Sequence, residues 1–403
     1  MMQSIPPTSR ECFICASSEQ EVIEDFLGAA LFVMDDFYSI DIKKVLCKQC
    51  GLIYASHYLG VEHLERLYVS MNAGPENLTY RFSAAPDYNQ FFVDSLTKMF
   101  PNRRRRVLDV GCGRCQTLDR FKSLGWETYG VDISPLSQDL AKKKGHSVWC
   151  GAFQDIDFGD IQFEAILFEE SLEHMLNPNF VLERVNELLT DSGLIGVSLP
   201  ESYTCLKSKN LYDILRDDHC NHFTPVTIRK LLTSKGLYPL DMYLDVDAPL
   251  PDMKVIASKK PVFSLLVEGF EEKRDFSREA MQLYWKMKQG LRDVFSKETS
   301  GYKRIVVYCA GSYATIVLPV IWGDYSKRVT AFIDNDLRKY GKSLYNKPVL
   351  PSRDLKDLNP DCIVIASEQF ENEICGNISE DMQSVKIIKA HHFLKDVLSQ
   401  MVI

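Results

Sequence analysis

The stretch Val107-Leu108-Asp109-Val110-Gly111-Cys112-Gly113-Arg114 decides the fold of this 403-residue chain. Its first residues are mostly apolar and predict a buried strand, and the two glycines that follow allow a tight turn and close backbone approach to a ligand. Asp132 ends the next predicted strand, where an acidic side chain can accept hydrogen bonds from ribose hydroxyls. The stretch therefore predicts a βα unit whose turn binds a nucleotide-type cofactor.

Predicted strands and helices alternate from residue 105 onward. The strands are RVLDV, TYGVDIS, FEAILFEE and GLIGVSLP, and the helices between them are QTLDRFKSLG, one opened by Ser134-Pro135, and NFVLERVNELL. This βαβ alternation predicts a mainly parallel, doubly wound sheet. After a strongly helical stretch at 264–297, the segments RIVVYCAG, RVTAFIDND and DCIVIAS repeat the pattern and predict a second, smaller Rossmann-like unit.

Composition and charge narrow the class of protein. The chain is 45% hydrophobic and 25% charged, as in ordinary globular proteins, and its net charge of −8 argues against nucleic acid as the main partner. The basic run at 103–106 is more typical of a solvated loop than of a phosphate site. No apolar stretch approaches the ~20 residues that span a bilayer, and the N-terminus does not resemble a secretory signal. We therefore expect a cytoplasmic protein with reduced thiols and no membrane partner.

Four of the twelve cysteines form two matched pairs near the N-terminus. The pairs are Cys12-x-x-Cys15 and Cys47-x-x-Cys50, and each can place two thiolates on one tetrahedral ion. Together they complete a four-sulfur shell, which is typical of a structural zinc and leaves no open position for catalysis. The segment between the pairs must fold as a small lobe, with enough apolar residues for a few strands or turns.

The stretch from Asp109 to Gly113 resembles motif I of the class I S-adenosylmethionine (SAM)-dependent methyltransferases. This resemblance implies an α/β core with a doubly wound, Rossmann-like sheet and SAM as the cofactor. The residues that it assigns to the cofactor are Asp109, Gly111 and Gly113 for the amino acid part, Asp132 for the ribose, and Ala152, Phe153 and Gln154 where the adenine ring is often contacted. Glu173-His174 also matches a Glu-His pair that many members carry after the fourth strand.

Alternatives stay open for these segments. A dinucleotide fingerprint would need G-x-G-x-x-G, and Gln116 stands where the third glycine would be. A Rossmann-like unit without a cofactor is the structural alternative. Cys112 and Cys115 form a further CxxC, which we interpret as coincidental rather than as a redox pair because its backbone is committed to the turn. His174 has either a catalytic role or a loop-positioning one.

The order of the modules resembles the sugar C-methyltransferases that act on nucleotide-linked keto-deoxysugars. The shared order is a four-cysteine module, a SAM domain and a trailing Rossmann-like unit, and the resemblance covers nearly the whole chain. It implies a zinc-binding domain at 1–65, a methyltransferase domain with an N-terminal helical segment at 66–260, and a helical linker plus C-terminal Rossmann-like domain at 261–403.

The same resemblance implies a set of catalytic residues. The family carries a Tyr-His-Glu-His stretch, and on alignment at Phe223-Thr224-Pro225 only its last histidine is retained, as His219. Asp218 replaces the glutamate, and Arg216 replaces the tyrosine. Tyr80 belongs to a stretch similar to the family's Tyr-x-Tyr/Phe-x-Ser segment, and His222 is an alternate base. An ordering role for His219 and plain packing for Tyr80 remain open.

Carbon methylation explains why a histidine is wanted. Removing a proton next to a carbonyl leaves an enolate, and a base of near-neutral pKa suits this step. Donors must stabilise the enolate oxygen, and the carbon must be held against the SAM methyl in line with the departing sulfur. We therefore predict His219 as the base, oriented by Asp218 or a neighbour.

The sequence specifies the role of the C-terminal unit and the identity of the methyl acceptor less closely than it specifies the cofactor. In the resembled family this unit helps to bind the nucleotide part of the substrate, which makes Ser312 and Tyr313 candidates for the diphosphate. A purely structural unit is the alternative. Two other functions also stay open: O- or N-methylation of another small metabolite, and non-catalytic binding. The sequence predicts a small-molecule partner and leaves the sugar, the methylated carbon and the oligomeric state undetermined.

Overall fold

The computed structural model describes residues 2–33, 35–71, 90–101, 105–208, 211–216, 218–245, 251–261, 276–323, 325–379, 382 and 384–401. Within these ranges the strands form three β-sheets, each centred on a different part of the chain. None of the helices found there combines the length and the apolar character needed to cross a bilayer.

The strands are numbered in chain order. They are β1 (Gln3–Ser4), β2 (Thr8–Ser9), β3 (Gln20–Val33), β4 (Asp36–Cys47), β5 (Ile53–Tyr58), β6 (Arg106–Val110), β7 (Glu127–Asp132), β8 (Ser147–Cys150), β9 (Phe163–Glu169), β10 (Leu189–Pro200), β11 (Asn221–His222), β12 (Tyr238–Asp245), β13 (Asp252–Ser258), β14 (Ile305–Tyr308), β15 (Val329–Ile333), β16 (Ser343–Leu344), β17 (Lys347–Leu350), β18 (Cys362–Ile365) and β19 (Lys386–Lys389).

The helices are numbered in the same way. They are α1 (Val61–Met71), α2 (Gln90–Met99), α3 (Gln116–Ser123), α4 (Pro135–Lys144), α5 (Pro178–Leu188), α6 (Ser202–Lys207), α7 (Tyr212–Leu215), α8 (Pro225–Ser234), α9 (Phe276–Thr299), α10 (Leu318–Ile321), α11 (Tyr325–Arg328), α12 (Glu371–Ser379) and α13 (Ala390–Gln400). A π-helical turn, Tyr313–Val317, leads directly into α10.

The central sheet has seven strands in the order β12-β13-β10-β9-β6-β7-β8. Strands β10, β9, β6, β7 and β8 run parallel, whereas β13 is antiparallel to both β10 and β12. The chain leaves β6 toward β7 on one side and later returns to β9 on the other, so a crevice opens where the strand order reverses. This strand order confirms the predicted mainly parallel, doubly wound α/β core.

Helix boundaries in the central domain follow local signals in the sequence. Helix α4 begins at Pro135, as predicted from Ser134-Pro135, and its C-cap Gly145 adopts a left-handed conformation with φ of +74°. The strands predicted above omit β8, β12 and β13. β8 and β12 lie at the ends of the sheet and are largely half-buried or exposed, so their residues carry a weak apolar pattern, whereas β13 is buried.

The segment between the cysteine pairs contains two strands, in line with the few strands or turns expected there, and these belong to a six-stranded N-terminal sheet. Strands β3 and β4 form a long antiparallel hairpin, and β4 pairs with β5. Strand β5 also pairs with the two-residue strand β11, with Tyr54 opposite Asn221 and Ile53 opposite His222. A segment from beyond residue 220 therefore completes a sheet that begins at the N-terminus.

The C-terminal sheet has the order β16-β17-β15-β14-β18-β19, and all its pairs except β16–β17 are parallel. Helix α9 precedes it and packs against the N-terminal hairpin. The Tyr284 hydroxyl and the Lys288 ammonium both reach the Glu24 carboxylate, at 2.6 and 2.5 Å. The N-terminal lobe is thus in contact with both of the domains that follow it.

Candidate active site

A cavity of about 1040 Å³ lies at the carboxyl ends of β6, β7 and β9. One part of its lining, called here the sheet half, consists of the segments 109–114, 132–134 and 151–154 that follow β6, β7 and β8. The other part, called the histidine half, consists of Tyr68, Glu173, His174, Arg216 and His219. All the cofactor residues predicted from the sequence belong to the sheet half.

The turn after β6 has the tight geometry predicted from its glycines. Gly111 has φ of +89°, and a Cβ atom added there would lie 3.0 Å from the Ser171 Cβ. Its amide donates to the carbonyl oxygen of Val131 on the neighbouring strand (2.8 Å). Gly113 also has a positive φ, of +46°. Only glycine accommodates the first position without strain, which leaves the backbone exposed to a ligand in the cavity.

Asp132 binds the same turn from the end of β7. One carboxylate oxygen accepts from the Gly113 amide and the other from the Ser134 amide, both at 2.8 Å. Each oxygen of a carboxylate has two acceptor positions, so Asp132 retains capacity for further hydrogen bonds toward the cavity. The side chain therefore organises the loop and can also accept hydrogen bonds from a ligand.

Asp109 lies beneath the turn and is 3% exposed. Within the described part of the chain its Oδ1 atom makes no hydrogen bond. Burial, with a further contribution from the charge of Asp132, raises the pKa of Asp109 to about 7. A cationic ligand in the cavity would stabilise the ionised form of this carboxyl.

The segment after β8 closes the sheet half. Gly151 donates to the carbonyl oxygen of Asp132 (2.9 Å), which holds this segment beside β7. Ala152 and Gln154 line the cavity, and Phe153, which is 3% exposed, packs against the rings of Phe158 and Phe168. The adenine-contact segment implied by the resemblance is therefore part of the cavity wall.

Carboxyl side chains outnumber arginines in the cavity lining. Seven carboxyl side chains line the cavity against three arginines. The acidic residues are Glu65, Asp109, Asp119, Asp132, Glu169, Glu170 and Glu173, and the arginines are Arg114, Arg120 and Arg216. Burial raises the pKa of both Glu169 and Glu173 well above the usual range of a carboxyl. The lining favours a ligand that brings positive charge.

Three side chains of the histidine half converge at one point. Glu173 and His174 belong to a 3₁₀ turn, Leu172–His174, after β9, and His219 precedes β11. Their donor atoms all lie within 4.8 Å of one another. The rings of His174 and His219 have centroids 4.8 Å apart in an edge-to-face arrangement. Glu173 and His219 are 1% and 2% exposed, so this cluster is almost shielded from bulk water.

The backbone carbonyl of Asp218 orients the cluster. It accepts hydrogen bonds from His174 Nδ1 and from the Tyr68 hydroxyl, both at 2.7 Å. Because a carbonyl only accepts, His174 Nδ1 carries a proton, and Nε2 is the acceptor atom of the neutral ring. The Asp218 carboxylate instead binds the Arg216 guanidinium through two contacts of 2.9 and 2.8 Å. Asp218 therefore orients Arg216 with its side chain and His174 with its backbone.

The N-terminal lobe holds the loop that carries His219. The Arg10 guanidinium donates to the Ala55 carbonyl (2.6 Å), to the Leu176 carbonyl (2.9 Å) and to the Asn221 side chain (2.9 Å), and it also reaches the Cys220 carbonyl. One side chain thus joins the N-terminal sheet to both segments of the histidine half.

The remaining predicted catalytic residues lie elsewhere. His222 is not among the residues that line the cavity; its ring is buried, and its Nε2 lies 3.2 Å from the Lys44 ammonium. Tyr80 falls outside the residues that the structure describes. Sequence reasoning missed Tyr68, which has no motif around it, and it assigned no role to Glu173 or to the cavity position of Arg216. The adjacency of Glu173 to His174 was the one available signal.

The four N-terminal cysteines form one cluster, as their spacing predicts. Their sulfur atoms lie within 4.8 Å of one another, with separations of 3.4 Å (Cys12–Cys50), 3.5 Å (Cys15–Cys47) and 3.6 Å (Cys12–Cys15). A tetrahedral zinc with bonds of about 2.3 Å places its sulfurs about 3.8 Å apart, so the set fits zinc. The hydrogen bond from Cys50 lowers the pKa of Cys12 to about 5, whereas burial raises the pKa of Cys15 to about 11.

Matching turns build the two halves of this cysteine cluster. The amide of Ala16 donates to the Cys12 carbonyl (2.8 Å), and the amide of Gly51 donates to the Cys47 carbonyl (3.0 Å). Both donors have a positive φ, +55° and +82°. The backbone folds each pair so that both thiols point to the same side, which is what ligation of one ion requires.

The C-terminal unit places Ser312 and Tyr313 after β14. Tyr313 is 6% exposed and starts a π-helical turn of five residues. The Ala310 amide donates to Asp334 (2.7 Å), which also binds the Lys339 ammonium (2.9 Å). Neither Ser312 nor Tyr313 lines the large cavity.

Comparison with known families identifies two parts of the chain. Residues 83–241 match the family described as Methyltransferase domain, and residues 301–388 match a family described as C2185-like, N-terminal. The first match includes β6 to β11, α8 and the sheet half of the cavity. Residues 83–241 are therefore a methyltransferase domain with the class I SAM-dependent fold.

Relatives with sequence similarity match this same domain. The ubiquinone biosynthesis O-methyltransferase of Nitrobacter winogradskyi is 28% identical over 125 residues, which are 27% of this chain and 47% of the relative. That of Dechloromonas aromatica is 28% identical over 137 residues, which are 30% of this chain and 57% of the relative. An uncharacterized protein of Methanocaldococcus jannaschii is 28% identical over 107 residues, covering 27% and 49%. The chain spans about half the length of these curated relatives.

Solved structures with a similar chain trace are methyltransferases. The 1,6-didemethyltoxoflavin-N1-methyltransferase of Burkholderia thailandensis, solved with S-adenosylhomocysteine, is 20% identical and covers 52% of this chain and 95% of its own, with a TM-score of 0.41. A putative SAM-dependent methyltransferase of Listeria monocytogenes is 17% identical and covers 42% and 97%, with a TM-score of 0.35.

Proposed function

Because residues 83–241 form a methyltransferase domain, we propose that the protein transfers the methyl group of SAM to a small molecule held in the histidine half of the cavity. The observation that supports this proposal most directly is that the sheet half and the histidine half belong to the same cavity. The motif I turn and the cluster of Glu173, His174 and His219 line one continuous cavity. A cofactor on the sheet half would therefore meet an acceptor on the other side.

The sheet half has the chemistry that SAM requires. The open backbone at Gly111 and Gly113 and the acidic Asp109 suit its amino acid part, and Asp132 suits its ribose. Ala152, Phe153 and Gln154 would border the adenine ring. Bound SAM supplies an electrophilic methyl group on a positively charged sulfur, and the excess of carboxylates would stabilise that charge.

The acceptor that we propose is a carbon of a nucleotide-linked keto-deoxysugar. The order of a four-cysteine module, a methyltransferase domain and a Rossmann-like unit supports this substrate class, with Ser312 and Tyr313 as candidate contacts for the nucleotide diphosphate. His219 is the proposed base, since it lies in the cavity and a near-neutral pKa suits removal of a proton beside a carbonyl. The neighbouring Arg216 would neutralise negative charge on the acceptor.

A second candidate is O-methylation of another small metabolite. Two of the three relatives described above are named as O-methyltransferases of ubiquinone biosynthesis, and they match the domain that contains the cavity. A hydroxyl acceptor would use the same base and the same placement of the methyl group. The two candidates differ in whether a C–H bond of the acceptor is broken.

We also propose that Cys12, Cys15, Cys47 and Cys50 hold a structural zinc ion in a cytoplasmic protein. The close packing of four sulfurs supports this, and all twelve cysteines are free thiols. Four thiolates leave no open coordination position, so the ion would stabilise the lobe and take no part in the chemistry.

Calorimetry and isotope exchange test the proposed function. We expect SAM to bind the full-length protein, and an absence of binding at about millimolar SAM would overturn it, because SAM-dependent enzymes saturate below this level. With SAM bound, a keto-sugar substrate deuterated beside its carbonyl should lose deuterium to solvent. Methylated product formed with full retention of deuterium at that carbon would favour the oxygen acceptor.

His219→Ala tests the proposed base. Loss of a general base slows proton removal by about 100-fold or more, so solvent exchange at the substrate carbon should fall by that factor. Unchanged exchange in a variant that still binds SAM would show that another group takes the proton.

A further inference from the structure

We propose that Glu173, His174 and His219 bind a divalent metal ion beside the acceptor, as a second metal site separate from the four cysteines. The three residues offer one carboxylate oxygen and two imidazole nitrogens, all within 4.8 Å of one another. Two imidazoles and one carboxylate are a recurrent ligand set for divalent transition metals that keep open positions for a substrate. The three side chains thus match a metal site with open coordination positions rather than a fully coordinated structural site.

The separation between Glu173 and His174 fits coordination better than a hydrogen bond. His174 Nε2 lies 3.7 Å from Glu173 Oε1, which exceeds the length of an N–H···O hydrogen bond. Ligands at about 2.1 Å from a metal at tetrahedral angles lie about 3.4 Å apart. A shared ion would therefore need only a small adjustment of these two side chains.

In the absence of a cation, the burial of the Glu173 carboxyl is difficult to explain. It is 1% exposed and lines the cavity, yet neither carboxyl oxygen has a hydrogen-bond partner among the described residues. A buried carboxyl without a partner costs free energy, and such groups in native proteins call for an explanation. A bound divalent ion accounts for both its burial and its direction.

His174 also has the outer contact that orients metal-binding imidazoles. Its Nδ1 donates to the Asp218 carbonyl (2.7 Å), which turns Nε2 toward Glu173. Metal-ligating histidines usually donate their second nitrogen to a carbonyl or a carboxylate in this way. Tyr68 donates to the same carbonyl (2.7 Å) and holds it in place.

A cation here would act on the acceptor. The cavity surrounds the cluster and carries the excess of carboxylates described above, which lowers the cost of bringing in a divalent charge. An acceptor with a carbonyl, enolate or vicinal hydroxyl oxygen would supply a further ligand and be held against the methyl donor. Coordination and base catalysis use the same lone pair of His219, so His219 would be the proposed base in metal-free protein and a ligand in metal-bound protein.

Metal binding can be tested without any methyl transfer. The probe is Mn²⁺, added to full-length protein whose four-cysteine site already holds zinc, because Mn²⁺ prefers oxygen and nitrogen ligands over thiolates. Loss of the electron paramagnetic resonance signal of free Mn²⁺ should report one bound Mn²⁺ per chain. Glu173→Gln and His174→Gln should each weaken binding by about tenfold or more.

Glu65→Gln is the matched control, since Glu65 lines the same cavity but lies outside the cluster. It should change Mn²⁺ affinity by less than about twofold. Thermal unfolding and SAM calorimetry on each variant establish that the domain is folded. The proposal is overturned if wild-type protein that binds SAM takes up no Mn²⁺ at about 1 mM, a level that fills weak divalent sites. Equal Mn²⁺ affinity in wild type, Glu173→Gln and His174→Gln would also overturn it.

Discussion

The sheet half and the histidine half of the cavity are built in different ways. The sheet half comes from three loops within residues 109–154, each directly after a parallel strand of one sheet. The histidine half takes Tyr68 from the helix that follows the N-terminal sheet, Glu173 and His174 from the turn after β9, and His219 from the segment before β11. One half depends on local backbone geometry, whereas the other depends on contacts between distant segments.

This difference separates what each half needs in order to form. Arg10 and the β5–β11 pairing join the N-terminal lobe to the histidine half. The cysteine cluster holds the same lobe, since Cys47 ends β4, which pairs with β5. Damage to the lobe should therefore reach the histidine half and leave the cofactor loops intact.

The largest effect should come from loss of the proposed zinc ion. Cys47→Ser should lower bound zinc and reduce methyl transfer by at least about 100-fold, because small displacements of positioned groups cost this much. SAM affinity should change by less than about threefold, since the hydrogen bonds that hold the sheet half join residues 111–151 to one another and not to the lobe. Metal analysis, calorimetry and turnover measure the three quantities.

Cys150→Ser is the control for this variant, because Cys150 is an exposed thiol outside the cluster. A parallel loss of SAM binding in Cys47→Ser would show that the two halves are not independent.

The next largest effect concerns Asp132 in the sheet half. Asp132→Asn removes a charge and one acceptor for the Gly113 and Ser134 amides. Hydrogen bonds to charged groups contribute about 2 kcal/mol, so SAM affinity should fall by about 30-fold. Mn²⁺ binding at the histidine half should stay unchanged. Wild-type SAM affinity in this variant would show that Asp132 orders the loop without contacting the cofactor.

The pH dependence of SAM binding tests Asp109. Its pKa of about 7 means that the carboxyl is largely protonated below pH 7 in the ligand-free protein. A cationic ligand binds the ionised form, so the dissociation constant of SAM should rise about tenfold for each pH unit below 7. Without ligand, the folded protein holds this proton more tightly than the unfolded chain, so the group lowers stability as the pH rises from about 4 to about 7.

Asp109→Asn provides the comparison for this titration. The amide does not ionise, so SAM affinity should be lower at pH 8 and nearly flat between pH 6 and pH 8. If the variant keeps the wild-type slope, another group controls the pH dependence.

The smallest effect should follow from Tyr68→Phe in the histidine half. The change removes one hydrogen bond to the Asp218 carbonyl, worth about 1 kcal/mol, and leaves the one from His174. Turnover should fall by about fivefold, with unchanged SAM affinity. A fall larger than that of Cys47→Ser would mean that Tyr68 contacts the acceptor itself.

The sequence predicted the sheet half well because its signals are local. A run of apolar residues, two glycines in a tight turn and an acid at the end of the next strand are all consequences of one βα unit. The helix start at Pro135 and the two cysteine turns were predictable for the same reason. Each of these features depends on residues close together in the chain.

The histidine half could be predicted only in part. Alignment by resemblance gave His219 as the base and His222 as the alternate, and the cavity includes only His219, since His222 lies beside Lys44 in the N-terminal sheet. Asp218 or a neighbour is predicted to orient His219, and the structure shows the Asp218 carboxylate bound to Arg216. No periodicity in the sequence indicates which of several neighbouring polar side chains points into a cavity.

By itself, then, the sequence determined the class I fold, the glycine turn after β6 and the four-cysteine cluster. Tertiary structure decided that β11 joins the N-terminal sheet, that Arg10 holds the histidine loop, and that Glu173 meets His174 and His219. The physical reason is the distance along the chain over which each feature is set. Backbone conformation and turn chemistry are set within a few residues, whereas the side chains of the histidine half meet only after three separate segments have packed together.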